Sequence, residues 1–260
     1  MEKHSHKRKD QSNTQSFTEV LFDMIYVTSD LHGKFQCLIT LLNQAGFFLN
    51  ENNHLYILGD VIDRNENGGI DILQWIRKQH NVTLLLGNHE QMMLDCRWLF
   101  DGTNQVYPDS RAIRMLDLWK HNGGSTTIAA LKRESFEVRQ ELLDYLESCP
   151  LYKTLKLGTK SYVLVHGGLG RSSPARELST YTEEELLWER PYLTTVYSPE
   201  KFTVILGHTP TELYRKESKG RMLKTTGWWN IDTGAAAATG TPMLLCLDTR
   251  REYYLNGDEE

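Results

Sequence analysis

One pattern recurs three times near the start of the chain: a short apolar run, a polar loop containing glycine, then a segment with helical spacing. Residues 24–29 (MIYVTS) predict a strand, and residues 35–46 (FQCLITLLNQAG) a helix ending at glycine. Residues 54–58 (HLYIL) predict the next strand, followed by the loop GDVIDRNENGG and a helical pattern over 70–79. Residues 82–86 (VTLLL) predict a third strand, followed by GNHE and another helix. Strand, loop and crossover helix in succession specify an α/β sheet.

Beyond this the pattern changes. Residues 91–151 read as mostly helical, with breaks at 101–110 (DGTNQVYPDS) and at Asn122-Gly123-Gly124. Strands are then predicted at 161–165, 202–206, 228–232, 243–248 and 252–255. A helix over 182–188 starts at Thr182, with acidic residues at 183–185 complementing its dipole. Residues 1–16 are polar and aperiodic, so 1–18 are expected to form a disordered tail and 19–260 one domain. No linker or internal repeat divides the rest.

Composition adds exclusions. A net charge of -5 does not suit a nucleic-acid binder or an anionic-membrane surface. No apolar run approaches the ~20 residues of a membrane helix. The N-terminus lacks an apolar secretory core, so a cytoplasmic location is expected. Cys37, Cys96, Cys149 and Cys246 form no Cys-x-x-Cys pair, which removes zinc-knuckle, iron–sulfur and thioredoxin-type readings.

The candidate chemistry lies where the strands end. Asp30-Leu31-His32-Gly33, Gly59-Asp60-Val61-Ile62-Asp63-Arg64 and Gly87-Asn88-His89-Glu90 follow the first three strands. His166-Gly167-Gly168 and Gly207-His208-Thr209 follow two later ones. In open α/β sheets, ligands bind outside the carboxyl ends of strands, so these five loops are expected to share one rim. Carboxylate, imidazole and amide oxygen suit hard-to-borderline divalent metals. Two such ions ~3.5–4 Å apart can clamp an in-line displacement and lower a water pKa from ~15.7 to ~7. The glycines beside the ligands leave space for tight turns and for close approach of a phosphate.

These five motifs, in this order and at this spacing, resemble the phosphoprotein phosphatase family of calcineurin-like metallophosphoesterases, in its small bacterial and phage-type branch. The resemblance spans nearly all of residues 25–255. It implies two mixed β-sheets packed as a sandwich flanked by helices. It makes Asp30 and His32 ligands of one metal, Asp60 the bridging carboxylate, and Asn88, His166 and His208 ligands of the second. It assigns His89 as general acid oriented by Asp63, and Arg64 and Arg190 as phosphate-binding groups. The implied cofactors are two divalent ions, manganese with iron or zinc as alternatives. Two departures bear on loop conformation: Ser29 and Asn65 stand where the family often has glycine.

The implied activity is hydrolysis of phosphoserine or phosphothreonine on proteins by a metal-bridging hydroxide, with phosphotyrosine and small phosphoesters also open. A symmetrical dinucleoside tetraphosphate hydrolase is the alternative; those enzymes tend to carry Asp after the third motif's histidine, where this chain has Glu90. An inactive module would lack a ligand or the acid, and none is missing. Glu90 reads as a helix-entry residue, and His54, His80 and His121 as surface or capping groups. Trp228 and Trp229 are candidates for cleft or core, Tyr107, Tyr181 and Tyr192 for substrate contacts. Oligomeric state is not legible.

Overall fold

The computed structural model describes residues 18–19, 23–65, 67–101, 108–171 and 173–255. Tyr107 and all of the expected tail except Thr18 lie outside this set. Among the described residues two mixed sheets are present. In the five-stranded sheet, β2 (Ile25–Thr28), β3 (His54–Ile57) and β4 (Val82–Leu84) run parallel, and β10 (Leu244–Cys246) and β11 (Glu252–Tyr253) extend it antiparallel from β2. The six-stranded sheet has the order β1 (Thr18–Glu19), β5 (Tyr152–Leu157), β6 (Lys160–Val165), β7 (Thr203–Leu206), β9 (Trp228–Asn230) and β8 (Leu223–Lys224).

Strand alternation explains the layers. Ile25 and Val27 on β2, and Tyr56 on β3, pack across the gap against Leu155, Tyr162, Leu164 and Ile205 of the second sheet. The opposite side chains, Tyr26, Leu55, Ile57 and Leu84, face the helices of the first half. These are α1 (Phe35–Gln44), α2 (Ile70–Ile76), α3 (Asn88–Asp95), α4 (Ser110–His121), α5 (Ser125–Leu131) and α6 (Phe136–Glu147). Val163, Val165, Val204 and Leu206 form the outer face of the second sheet, against Leu178, Leu186 and Tyr197. Two short helices, α7 (Glu183–Trp188) and α8 (Thr211–Tyr214), lie in the second half. The sandwich flanked by helices is the architecture the resemblance implied.

The predicted elements fall in place within a few residues. Thr182 caps α7, its hydroxyl accepting from the Glu185 N–H at 3.2 Å while Glu185 accepts from the Thr182 N–H at 2.8 Å. The α5–α6 break, β5, β8 and β1 are additions that the periodicity did not mark. Trp228 lies in the core and Trp229 packs half-buried on Tyr162. Tyr181 and Tyr192 lie against Arg176 and Arg171.

His54 is a correction. It was expected at the surface, as His80 and His121 are, but it is buried on β3 with Nε2 2.8 Å from the Thr83 hydroxyl. Burial, then the positive charges of Lys153 and His80, push its pKa down to about 4. Its folded pKa therefore lies below the unfolded value of 6.5, and the unfolded chain takes up the proton first. The stability linked to His54 is complete above pH 6.5 and is lost as pH falls toward about 4. We expect the urea midpoint to decline through this window more steeply for the native chain than for His54→Gln. Parallel pH profiles would remove the assignment.

Candidate metal centre

All five motif loops meet at the carboxyl ends of β2, β3, β4, β6 and β7. Asp30 N–H donates to Gly59 O and His32 N–H to Asp60 O, tying the first two loops. Gly207 N–H donates to His166 O, tying the last two. Close approach accounts for two of the glycines. A Cβ on Gly87 would overlap Asp60 Oδ1, and one on Gly207 would overlap Ser29 Oγ and Asp30 Oδ2.

The backbone itself marks the site. Asp30, His32, Asp60, Asp63, Arg64 and His208 all have φ between 43° and 74°, and among the described residues only Arg250 joins them as a non-glycine with positive φ. Each left-handed non-glycine residue costs roughly 1–3 kcal/mol, and such strain persists only where the surroundings over-determine it. Six such residues on one rim mean that the fold holds these side chains against local preference.

The donor atoms point at one another. Among the described residues, His32, Asp60 and His89 form one group with ligand atoms within 4.8 Å, and Asp60, His166 and His208 form another. Asp60 belongs to both. Asn88 Oδ1 lies 2.9 Å from His166 Nε2 and 2.8 Å from His208 Nδ1. Asp30 accepts the His208 N–H at 2.9 and 3.1 Å and the Ser29 hydroxyl. It therefore braces the loop of His208 and, among the described residues, belongs to neither group.

Tautomers test whether metal fits. A carbonyl oxygen only accepts, so His166 Nδ1, 2.6 Å from Leu58 O, carries the proton. The Nε2 lone pair then faces Asn88 Oδ1 at 2.9 Å and Asp60 Oδ1 at 3.4 Å, acceptors all. His32 repeats the arrangement, with Nδ1 2.9 Å from Ile62 O and Nε2 3.8 Å from Asp60 Oδ2. His208 turns Nδ1 to the same Asn88 Oδ1 at 2.8 Å. Acceptors facing acceptors are unfavourable unless a cation stands between them, and outer hydrogen bonds of this kind orient metal-ligating histidines.

The charges agree. Burial, then nearby positive groups, hold His32, His89 and His208 well below the usual imidazole range, which leaves their rings neutral. Burial, then the charges of Asp30 and Glu90, pushes Asp60 well above the carboxylate range. Burial also raises Asp30 and, with Asp30 beside it, Asp232. A crowd of neutral imidazoles and mutually repelling carboxylates is a site that divalent cations would relieve.

The remaining predicted residues surround this cluster. His89 Nδ1 is 2.6 Å from Asp63 Oδ2. Asp63 is buried and also accepts from Trp119 Nε1 at 2.9 Å and from the Thr127 hydroxyl at 2.5 Å; burial raises its pKa to about 7 against these bonds. Arg64 spans the opening, Nη1 3.3 Å from His32 Nε2 and Nη2 3.1 Å from His89 Nε2. Asn122 O accepts from its Nε, and Gly123 O from its backbone N–H, so the Asn122-Gly123 turn holds the arginine. Arg190 is exposed and donates to Thr209 Oγ1 at 3.0 Å, next to His208.

Several supporting residues were not legible beforehand. Trp119 and Thr127 fix Asp63 from 56 and 64 residues away, with no local signal. Glu90 does enter a helix, as expected, but it does more. Its buried carboxylate accepts the N–H groups of Asp60 (2.8 Å), Val61 (2.9 Å), Ile62 (3.4 Å) and Gly87 (3.0 Å), which joins the second and third motif loops.

Comparison with known proteins bears on the fold and the family. The profile of the calcineurin-like phosphoesterase family matches residues 24–232. A symmetrical bis(5'-nucleosyl)-tetraphosphatase of Salmonella paratyphi A is 28% identical over 159 residues. That match covers 61% of this chain and 46% of the enzyme, so the aligned part is less than half of the relative's length. Among solved structures, a provisionally assigned diadenosine tetraphosphatase superposes with TM-score 0.59 at 14% identity, covering 92% of this chain and 97% of that one. A cold-active protein-tyrosine phosphatase of Shewanella sp. superposes with TM-score 0.54 at 18% identity, covering 94% and 82%. These likenesses establish the fold, and the profile establishes the family. The chain belongs to the calcineurin-like phosphoesterases.

Proposed function

We propose that this chain is a phosphomonoesterase acting on phosphoserine and phosphothreonine in proteins. The observation that carries the reading is the Arg64 fork, whose two terminal nitrogens reach His32 Nε2 and His89 Nε2 across the opening of the cluster. A phosphoryl group entering there meets a planar pair of N–H donors beside a candidate acid, and few other contacts are required for a small headgroup.

In this reading Asp30, His32, Asp60, Asn88, His166 and His208 hold two divalent cations, with manganese the expected native metal and iron or zinc alternatives. When bound, such ions neutralise phosphoryl charge and make hydroxide available near neutral pH. The chain's own groups do the rest. Arg64 and Arg190 bind the phosphoryl oxygens. Asp63 holds His89 Nδ1–H, which turns Nε2 toward the departing oxygen. Burial, then the Arg64 charge, keeps His89 neutral in the resting site. A phosphate dianion on Arg64 offsets that charge and favours the protonated ring. His89 then gives its Nε2 proton to the leaving alkoxide.

A second reading, hydrolysis of dinucleoside tetraphosphates, is favoured by the curated tetraphosphatase relatives. Glu90 weighs against it. Its carboxylate accepts four N–H groups from two loops, and glutamate is one methylene longer than the aspartate usual in those enzymes. One assay pair separates the two. With added manganese, phosphate release from phosphoserine and phosphothreonine peptides is expected to exceed turnover of diadenosine tetraphosphate. Dinucleotide cleavage with inert peptides would transfer the assignment to the second reading, and inertness toward both would end the phosphatase proposal.

A further inference from the structure

The metal-site loops are tied to a distant segment by two side chains that the chemistry above does not use. Lys34 stands two residues after His32 and Asn65 directly after Arg64. Lys34 is 7% exposed, and its ammonium donates to the carbonyls of Ala237 (2.7 Å), Ala238 (3.2 Å) and Gly240. Asn65 Nδ2 donates to Ala235 O (3.2 Å) and Ala236 O (3.5 Å). Five carbonyls of the loop 235–240 are thus held from two separate turns.

Burying an ammonium is costly unless its three donors are satisfied, and three carbonyls match that number. The loop closes its own neck through Thr233 Oγ1 to Thr241 O at 2.7 Å, yet Ala237, Ala238 and Thr239 remain exposed at its tip. On another side, Ala237 and Gly240 border a cavity of about 260 Å³ shared with Glu212 and Tyr254, which leaves room for the loop to move.

The tie matters because of what precedes Asn65. Asp63 and Arg64 are consecutive left-handed residues with φ 74° and 72°. Thr127 and Gly68 hold the Asp63 N–H, and Gly123 O holds the Arg64 N–H. The Asn65 amide secures the following position. We propose that Lys34 and Asn65 are positioning residues that latch the loop 235–240 onto the two ligand-bearing turns, and so hold the Arg64 guanidinium over the phosphate site. The link to phosphate rests on the phosphomonoesterase reading; the latch itself does not.

The test uses the full chain and the variants Lys34→Met, Lys34→Arg and Asn65→Ala, each with its melting temperature. Elastase cleaves after small residues and reads the loop directly, with or without metal. Lys34→Met and Asn65→Ala are expected to speed nicking at 235–239 at least severalfold. They are also expected to raise KM for p-nitrophenyl phosphate on the order of tenfold, with kcat within a factor of about two. Lys34→Arg keeps donors on a long stem and is expected to restore both. Unchanged nicking in folded variants would overturn the latch, and faster nicking with unmoved KM would overturn its link to Arg64. A native chain that cleaves no phosphomonoester fails the functional reading instead, while the nicking rates still decide the latch.

Discussion

Asp60→Asn is expected to abolish turnover of every phosphoester while the chain stays folded. Asp60 is the one residue shared by both ligand groups, so its loss disables two cation positions at once. Folding should survive because asparagine keeps an oxygen to accept the His89 N–H, which Asp60 Oδ1 receives at 3.1 Å. It also removes a carboxylate that the charges of Asp30 and Glu90 oppose. Metal-free variant and metal-free native chain should therefore melt at similar temperatures, or the variant slightly higher. The difference appears on adding manganese. Saturation at about 100 times Kd stabilises by ~2.7 kcal/mol, or roughly 5–10 °C for a chain of this size. The native chain should show this rise, and chelator should reverse it together with activity. Asp60→Asn should show less than half of it. A variant with full activity, or with the full metal-induced rise, would remove Asp60 from the centre.

That this residue could be named from sequence at all has a physical reason. The candidate ligands sit just after strands, and strand ends are where hydrophobic periodicity stops, so Asp30, Asp60, Asn88, His166 and His208 each fall at a visible boundary. Their supports do not. Trp119 and Thr127 lie on helices whose apolar spacing reports only burial, and nothing local says that their polar atoms turn toward Asp63. Lys34 reads as an ordinary surface lysine until the loop 235–240 folds over it. The missed β5 has a local cause. Residues 152–157 (YKTLKL) follow α6 after only four residues and carry two lysines, although Gly158 and the β6 strand beyond it spell a hairpin. His54 failed for a tertiary reason. It starts a strand that periodicity identifies, but only the neighbouring strand, with Thr83, makes that end of β3 an interior position.

Six strained backbone positions also change how the centre should respond to mutation. If the fold were indifferent to these dihedrals, glycine would serve at Asp63 and Arg64, and the helical half would be free to vary. Instead, Thr127 and Gly123 of the α4–α5 region grip the backbone of these two residues directly. The helical region is thus constrained where it faces the site.

His89→Ala carries the second large expected effect, and its pattern across substrates is more telling than its size. A positioned acid contributes ~10²–10⁴-fold when the leaving group needs a proton. An alkoxide from phosphoserine or phosphothreonine needs one, whereas a nitrophenolate departs without it. The variant should therefore lose ~10²–10⁴-fold in kcat on phosphopeptides and less than about tenfold on p-nitrophenyl phosphate. Equal losses on both would mean that His89 acts as a ligand, which its place beside His32 and Asp60 makes the competing role. Metal titration provides the second readout: an acid leaves the manganese-induced rise in melting temperature intact, and a ligand takes part of it away. Asp63→Asn is a poorer probe. Asp63 accepts from Trp119 Nε1 and Thr127 Oγ1 as well as facing His89 Nδ1, so an amide nitrogen there would meet donors on every side. Trp119→Phe removes one of those donors without touching the ring. It should lower kcat on phosphopeptides by roughly 10-fold while sparing the aryl substrate, because an outer hydrogen bond aims the acid and leaves the metal cluster alone.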